Sequence, residues 1–324
     1  MFPQVYPNQN RYLTYIFQAI RLSKSRLKLW SGIIVAIFYT TASSAQLYQQ
    51  SFDTPLSAAS NSLLTSAPYC AAAPSNSQLS SIGSNGAGCV FEVPSGTNRL
   101  TFTRSSDVGT FTRGVDFAPI PVTLKFQFDL RVSGNATPQT NGAKIQIGYN
   151  YDPTTFNDDN DDVNVHSRIG INWTGTDGEF SIRNGDNTAS SANFLGQQRI
   201  SLFANKTGAT ISYLAPDGTT ATLGNEKNDV WVGNSLVFDD INVVTSARWM
   251  RRFKFFFNAG SAKIEFDNFL VAPIPSAPTA SSPQYFCGGS PTVANLVATG
   301  TNLNWYNVAS GGSPLSSPTP LTTS

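Results

Sequence analysis

The sequence predicts an all-β protein whose main part is a two-sheet sandwich of jelly-roll type. From Val122 to Val132, apolar and polar residues alternate strictly, the period of a strand with one buried face. Turn signals such as Ser133-Gly134-Asn135 and Pro216-Asp217-Gly218 separate this run from others like it. Beyond the first 45 residues no segment has a helical repeat of apolar residues, so the strands must bury their faces against one another in two layers.

The first 45 residues read as an N-terminal extension followed by an export signal. A basic segment, Arg21–Lys28, precedes the apolar run Trp30–Tyr39 and the small residues Ser43-Ser44-Ala45. Gln46 is then the first residue of the mature chain. The alternative is a membrane anchor, but the apolar run is shorter than the roughly 20 residues that span a bilayer. The prediction is a secreted or cell-surface protein with no stable membrane span after cleavage.

Charge argues against a nucleic-acid partner. The chain has 21 basic and 20 acidic residues, and five of the basic ones lie in the first 45 residues, which contain no acid. The remaining 16 basic and 20 acidic residues give a formal net charge of −4. A mildly acidic chain without a basic run is poorly suited to binding nucleic acid.

Three cysteines suit an oxidising compartment. Cys70 and Cys89 enclose a stretch rich in Ser, Asn and Gly, and the prediction is a disulfide between them. The alternative is two unpaired thiols.

Residues 46–272 form the predicted sandwich domain, which ends at a strand with a bulge. In the closing strand, Ile264–Val271, the apolar parity switches at Asp267-Asn268. The ending Phe266-Asp267-Asn268-Phe269-Leu270-Val271 resembles the last strand of concanavalin- or laminin-G-like sandwiches. The closing strand as a whole is predicted over Lys263–Val271. The other predicted strands are Arg99–Arg104, Ala143–Tyr149, Val165–Trp173, Glu179–Arg183, Arg199–Ala204, Ala209–Leu214, Val230–Val232, Leu236–Phe238 and Trp249–Phe257.

A linker and an incomplete module follow. Residues 273–283 contain four prolines that oppose regular pairing. Residues 284–324, together with the preceding Pro278–Pro283, resemble the start of the immunoglobulin-like repeat of secreted and cell-surface proteins of Bacteroidetes-type bacteria. The matching runs are Gln284–Cys287, Val293–Leu296 and Ala298–Tyr306. The resemblance implies a second cysteine further along such a module, so we expect Cys287 to be unpaired. With only three or four of about seven strands, among them Val293–Ala298, the segment is expected to be loosely ordered.

Catalysis is not favoured by the sequence, and the expectation is a protein that is not an enzyme. The single histidine, His166, lies on the polar parity of a predicted strand, and no Gly-x-Ser-x-Gly motif accompanies it. Sandwich glucanases that resemble concanavalin carry Glu-x-Asp-x-x-Glu on one strand. Here Glu265-Phe266-Asp267 supplies the first half, but Leu270 occupies the third position.

A calcium site is the one cofactor that the sequence suggests. Asp158, Asn160 and Asp162 present oxygen atoms at alternate positions of an acidic segment, and calcium takes six to eight hard oxygen ligands. The full EF-hand pattern fails, because Val163 and Ile169 stand where it needs glycine and glutamate. The alternative is a solvated acidic turn without metal.

Sugar binding by sandwich modules relies on exposed aromatic rings. Trp173 shares the apolar parity of Ile169 and Ile171 and is expected in the core. Tyr151, in the loop before the acidic segment, is the ligand-binding candidate.

Taken together, these features predict an exported, non-catalytic, adhesin-like surface protein that binds or displays a ligand. Extracellular glycans or other surface proteins are the expected partners. The alternatives are a glycan-degrading enzyme, or its accessory domain, and a structural spacer of a surface fibre.

Overall fold

The computed structural model describes residues 12–13, 36–39, 46–156, 161–274, 284, 290–298, 303–306 and 315–320. It is an all-β structure. Its strands are β1 Tyr12–Leu13, β2 Ala36–Tyr39, β3 Tyr48–Gln50, β4 Leu56–Ser60, β5 Ser62–Leu64, β6 Ser81–Ser84, β7 Cys89–Val93, β8 Leu100–Arg104, β9 Gly109–Arg113, β10 Thr123–Ser133, β11 Gln139–Gly148, β12 Val165–Trp173, β13 Glu179–Arg183, β14 Phe194–Leu195, β15 Gln198–Asn205, β16 Ile211–Leu214, β17 Thr220–Leu223, β18 Lys227–Val232, β19 Ser235–Asn242, β20 Arg252–Phe257, β21 Ala262–Ala272 and β22 Leu303–Tyr306. The helical elements are a short helix α1, Asp161–Asn164, and a 3-10 turn, Val293–Asn295.

Two large antiparallel sheets form the main compact unit, which comprises Ala45–Ile211 and Thr222–Ile274. The nine-stranded sheet has the order β19-β18-β15-β10-β21-β8-β7-β4. Its ninth strand, β3, lies off this path and pairs with β21. The eight-stranded sheet has the order β14-β13-β12-β11-β20-β9-β6-β5. In the nine-stranded sheet most neighbours are distant in sequence, and in the eight-stranded sheet β11, β20, β9 and β6 are joined by such long-range pairs, as in a jelly roll.

A core rich in phenylalanine joins the two sheets. Phe266 of the nine-stranded sheet meets Phe255 of the eight-stranded sheet with ring centroids 4.8 Å apart, and meets Phe111 at 5.4 Å. Offset and edge-to-face ring pairs of this kind add about 0.5–1.5 kcal/mol each to the stabilisation from burial. The inward-facing positions of β10, from Leu124 to Val132, are all buried, so the strict alternation of this strand did predict its core face.

The predicted bulge at Asp267-Asn268 is confirmed. Gln127 pairs with Leu270, whereas Asp129, two residues along β10, pairs with Asp267, three residues along β21. Asn268 takes up the extra residue with a φ of 51°, a left-handed conformation that asparagine tolerates better than most residues.

The described residues outside the two large sheets form smaller elements. Strands β1, β2 and β22 make a three-stranded sheet, and β16 and β17 make a two-stranded one. Strand β2 lies in the apolar run of the predicted export signal and pairs with β22. The predicted strand Val293–Ala298 is wrong, because Val293–Asn295 form a 3-10 turn in which the side chain of Asn295 accepts a hydrogen bond from the backbone of Thr292.

Candidate functional site

A polar cleft of about 480 Å³ lies beside strand β3 of the nine-stranded sheet. Its lining consists of amide and hydroxyl side chains: Gln46, Gln49, Gln50, Ser51, Asn76 and Ser77. No charged side chain is among these lining residues. Each amide offers both hydrogen-bond donors and an acceptor, and each hydroxyl can do either, so the cleft can pair with a ligand that has many hydroxyl groups.

Strand β3 forms one wall of the cleft. Its residues alternate, with Tyr48 buried in the core, Gln49 exposed and Gln50 buried again. The backbone N–H of Gln49 donates to the carbonyl of Asn76 at 2.8 Å, which joins the strand to the opposite wall. The side chain of Asn76 in turn donates to the carbonyl of Gln46 at 3.3 Å.

The opposite wall is the loop Ser75–Gln78, and two buried side chains hold it from the interior. Nε2 of Gln50 donates to the carbonyl of Ser77. Nη1 of Arg113 donates to the carbonyls of Ser75 and Gln78, each at 2.8 Å. Both wall elements are therefore fixed by hydrogen bonds, as a preformed binding site requires.

Arg113 is a buried cation. Only 2% of the residue is exposed, and its guanidinium lies over the rings of Tyr48 and Phe117, at 5.4 and 5.6 Å from their centroids. Burial lowers the pKa of this guanidinium, and the nearby Tyr48 opposes the decrease. Within the described ranges, Arg113 has no salt bridge and its Nε has no hydrogen-bond partner.

A row of side chains on the outer face of the nine-stranded sheet leads away from the cleft. Gln49 of the cleft pairs in register with Leu270, Leu270 with Gln127, and Gln127 with Ser201. Directly opposed residues on neighbouring strands lie on the same face, so this row crosses four strands. Nε2 of Gln127 donates to Oγ of Ser201 at 2.7 Å.

Next to this row, a charged group surrounds the bulge. Arg199 binds Asp129 with two hydrogen bonds, from Nε at 2.8 Å and from Nη2 at 3.1 Å. Nδ2 of Asn268 donates to Oδ2 of Asp129 at 2.9 Å and to Oδ2 of Asp267 at 3.2 Å. Burial raises the pKa of the Asp267 carboxyl, and the negative charge of Asp129 adds to the increase against the hydrogen bond from the backbone N–H of Asn268.

Two sequence-based predictions about side chains are wrong. Tyr151, predicted as an exposed sugar-binding ring, is only 1% exposed. Its hydroxyl packs against Gly148, where an added Cβ would lie 2.7 Å from that oxygen. His166, predicted in solvent, is fully buried, because β12 is buried along its whole length, including Arg168 and Asn172, which share the polar parity of His166. Trp173, by contrast, lies in the core as predicted.

The predicted disulfide is also wrong. Cys70 and Cys89 are buried free thiols. They occupy different surroundings: Cys89 belongs to β7 and pairs with Arg104, whereas Cys70 forms a bridge with Leu79 just before β6 of the other sheet. Burial raises the pKa of each thiol to about 12.

The remaining predicted site residues cannot be placed. Asp158, Asn160 and Cys287 lie outside the described residues, and of Asp162 only the backbone, in α1, is described. Calcium binding and the unpaired state of Cys287 stay predictions. In the described part of the chain, no three acidic, histidine or cysteine side chains are grouped so that they could hold a metal ion.

The cleft and Arg113 were missed because their strands were missed. Strand β3 has only three residues, and β4 to β6 are short and rich in Ser, Ala and Gly, so the alternation of these strands is weak. One signal was available: in Gly109–Arg113, Arg113 shares the parity of the core residue Phe111, which puts a charge on the inward face.

No helix of the described residues has the length and hydrophobicity needed to cross a membrane.

Comparison with solved structures finds other β-proteins at low similarity. A sialidase matches at 13% identity with a TM-score of 0.40 over 59% of this chain, which spans only 17% of the sialidase. A carbohydrate esterase from the Shiga toxin-encoding bacteriophage phi24B matches at 9% identity and 0.38, over 71% of this chain and 99% of the esterase. The carbohydrate recognition domain of Emp47p matches at 11% identity and 0.39, over 67% of this chain and 96% of that domain. No protein-family model and no curated protein sequence matches the chain.

Proposed function

We propose that the sandwich is a glycan-binding module of an exported surface protein and that the cleft beside β3 is its binding site. The observation that carries the proposal is the lining of the cleft, which consists of amide and hydroxyl groups held in fixed positions. Sugar hydroxyls both donate and accept hydrogen bonds, and amide side chains match this pattern without a net charge.

The accessible part of the row, from Gln49 across Leu270 to Gln127, supports an extended ligand, whereas Ser201 at its far end is fully buried. Neighbouring strands are about 4.8 Å apart, so these three strands give a path of roughly 10 Å from the cleft. The hydrogen-bonding groups of Gln127 and Arg199 lie along or beside this path. A linear oligosaccharide can contact both the cleft and the row, whereas a single sugar can contact only one of them.

A glycan array probed with the full chain tests the proposal, followed by titration calorimetry on the best ligand. Gln49→Ala and Asn76→Ala each remove a polar group of the cleft, and together they should weaken binding about 30-fold, since each hydrogen bond contributes about 1 kcal/mol. Thr103→Ala, at an exposed position of β8 in the same sheet, is the matched control and should leave affinity unchanged. Equal binding by the double variant would place the site elsewhere, and an array without any bound glycan would refute the proposal.

Export is part of the proposed function. Cleavage before Gln46 would make a cleft residue the first residue of the mature chain. N-terminal sequencing of the secreted product should therefore find Gln46 or an adjacent residue. A soluble product in the cytoplasm that retains Met1 would contradict export, and the array should use both the full-length and the processed chain.

A glycan-degrading enzyme is the second candidate, and the Asp129–Asp267 pair favours it. Both Oδ2 atoms accept from Nδ2 of Asn268, which puts them no more than about 6 Å apart, near the ~5 Å of retaining glycosidases. Arg199 occupies Asp129 with two hydrogen bonds, however, and so the carboxylate is poorly available as a nucleophile. Release of reducing sugar by the wild type but not by Asp267→Asn would establish hydrolysis.

A further inference from the structure

Arg113 carries a buried positive charge that no described residue neutralises. Placing an ion in the interior costs several kcal/mol unless an opposite charge compensates it. The rings of Tyr48 and Phe117 and the carbonyls of Ser75 and Gln78 stabilise the guanidinium, but they leave its full charge in place. The electric field of this charge therefore extends into the space next to the guanidinium.

The polar cleft beside β3 lies next to the guanidinium of Arg113. The two carbonyls that Arg113 binds belong to Ser75 and Gln78, and the residues between them, Asn76 and Ser77, line the cleft. The guanidinium is thus one hydrogen bond behind the cleft wall. Tyr48, which stacks on the guanidinium, precedes Gln49 and Gln50 of the opposite wall.

The six lining residues of the cleft carry no charge themselves. The nearest carboxylate that they contact is that of Asp53, which accepts a hydrogen bond from Oγ of Ser51 at 2.5 Å and is exposed to solvent, so water and salt screen it more than they screen the buried Arg113. Because a buried charge is screened less than one in solvent, an anion in the cleft would be attracted through the wall. A neutral ligand would gain the hydrogen bonds of the lining but not this attraction.

We propose that the cleft binds the anionic group, carboxylate or sulfate, of an acidic saccharide, with Arg113 as the buried counter-charge. This inference rests on the proposed glycan-binding function and adds the class of ligand. The amide and hydroxyl groups bind the sugar hydroxyls, and the field of Arg113 selects the acidic sugar over its neutral counterpart.

Titration calorimetry with two matched probes tests the selection. The probes are an oligosaccharide of galacturonic acid and the galactose oligosaccharide of equal length, each titrated into the full chain at 20 and at 200 mM NaCl. We expect the acidic probe to bind about tenfold more tightly at low salt and the preference to shrink at high salt. Equal affinity for the two probes, or no binding of either, would overturn this inference, whereas the glycan-binding proposal itself falls only if the array binds no glycan.

Two substitutions at the exposed Gln49 test the electrostatic cause without disturbing the core. Gln49→Glu puts a negative charge in the cleft and should abolish the preference, and Gln49→Lys should increase it several-fold. Thr103→Glu, at the exposed control position of β8, should change neither the affinity for the acidic probe nor that for the neutral probe. Arg113→Gln should remove the preference if circular dichroism shows that it folds. An unchanged preference in Gln49→Glu would contradict the inference even if Arg113→Gln does not fold.

Discussion

Nε2 of His166 lies 3.2 Å from Oε2 of Glu226, and this contact joins the two sheets of the sandwich. His166 belongs to β12 of the eight-stranded sheet, and Glu226 precedes β18 of the nine-stranded sheet. Oγ of Ser167 lies 2.8 Å from Nδ1 of His166 and 2.8 Å from Oδ1 of Asn228, a second link between the sheets. Lys206 donates to Oε1 of Glu226 at 2.7 Å.

We predict that this group makes stability fall between pH 6.5 and 4. Burial lowers the pKa of His166 to about 4, with Glu226 opposing the decrease, whereas the unfolded chain has the ordinary value of 6.5. Between these values the unfolded state binds more protons than the folded state, so acid favours unfolding, by about 3 kcal/mol in full. Urea unfolding at pH 7.5 and 4.5 measures the loss. His166→Gln should be less stable at pH 7.5 but should lose less on acidification, and equal losses in the two proteins would contradict the prediction.

The bulge at Asn268 gives a second prediction. Asn268→Gly keeps the left-handed conformation but loses both side-chain hydrogen bonds to Asp129 and Asp267. Asn268→Ala loses the same bonds and adds the strain of a left-handed alanine, so it should be less stable than the glycine variant by about 1 kcal/mol. Urea unfolding of the two variants measures the difference. If Asn268→Ala is as stable as Asn268→Gly or more stable, the backbone strain does not contribute as proposed.

How far the sequence predicts this structure depends on which residues face the core. Strong alternation of apolar and polar residues predicted strand β10, and it predicted the first and last residues of β12 and β13. It could do so because the apolar residues of each strand face the core. The sequence predicts Tyr151 and His166 in solvent, but Tyr151 packs against Gly148 and His166 lies in a strand that is buried on both faces. Neither kind of burial leaves a local signal. The bulge at Asp267-Asn268 was predictable because it changes the parity of the apolar residues themselves.

The candidate site was less predictable than the fold. Its polar residues come from β3 and from the loop at Asn76, which are far apart in sequence and have no hydrophobic pattern. The hydrogen bond from the backbone N–H of Gln49 to the carbonyl of Asn76 joins them, and a long-range contact of this kind cannot be read from a local period.

Free thiols give a third prediction. At pH 8, a native chain treated with iodoacetamide should not be modified at Cys70 or Cys89, because both are buried and their pKa values are raised to about 12. Denaturation in urea should expose both to modification. Cys287 is expected to react in the native chain, and Cys287→Ser should remove that signal. Peptide mass spectrometry without reductant checks the assignment, and a linked peptide containing Cys70 and Cys89 would restore the disulfide.

Calcium gives a fourth prediction, from the acidic segment alone. If Asp158, Asn160 and Asp162 bind calcium, a chelator should lower the melting temperature and added calcium should restore it, since a ligand that binds only the folded state stabilises it. Asp158→Ala combined with Asp162→Ala should reproduce the effect of the chelator. Identical melting with chelator and with excess calcium would rule out a structural site.

Packing around Trp173 gives the last prediction. A Cβ added at Gly142 would lie 1.9 Å from Cη2 of Trp173, far inside van der Waals contact. Trp173 is 2% exposed and packs edge-on against Phe257 at 5.8 Å, so it has no room to move away. Gly142→Ala should therefore destabilise the sandwich by about 1–3 kcal/mol, the usual effect of overpacking. Gly175→Ala is the matched control, because its added Cβ would meet its nearest atom, Cδ of Pro138, at 3.4 Å, and should change stability little. Urea unfolding followed by tryptophan fluorescence compares the two variants. Equal stability would mean that the ring of Trp173 can shift without loss, and that the eight-stranded sheet is less tightly packed at this end than the distances indicate.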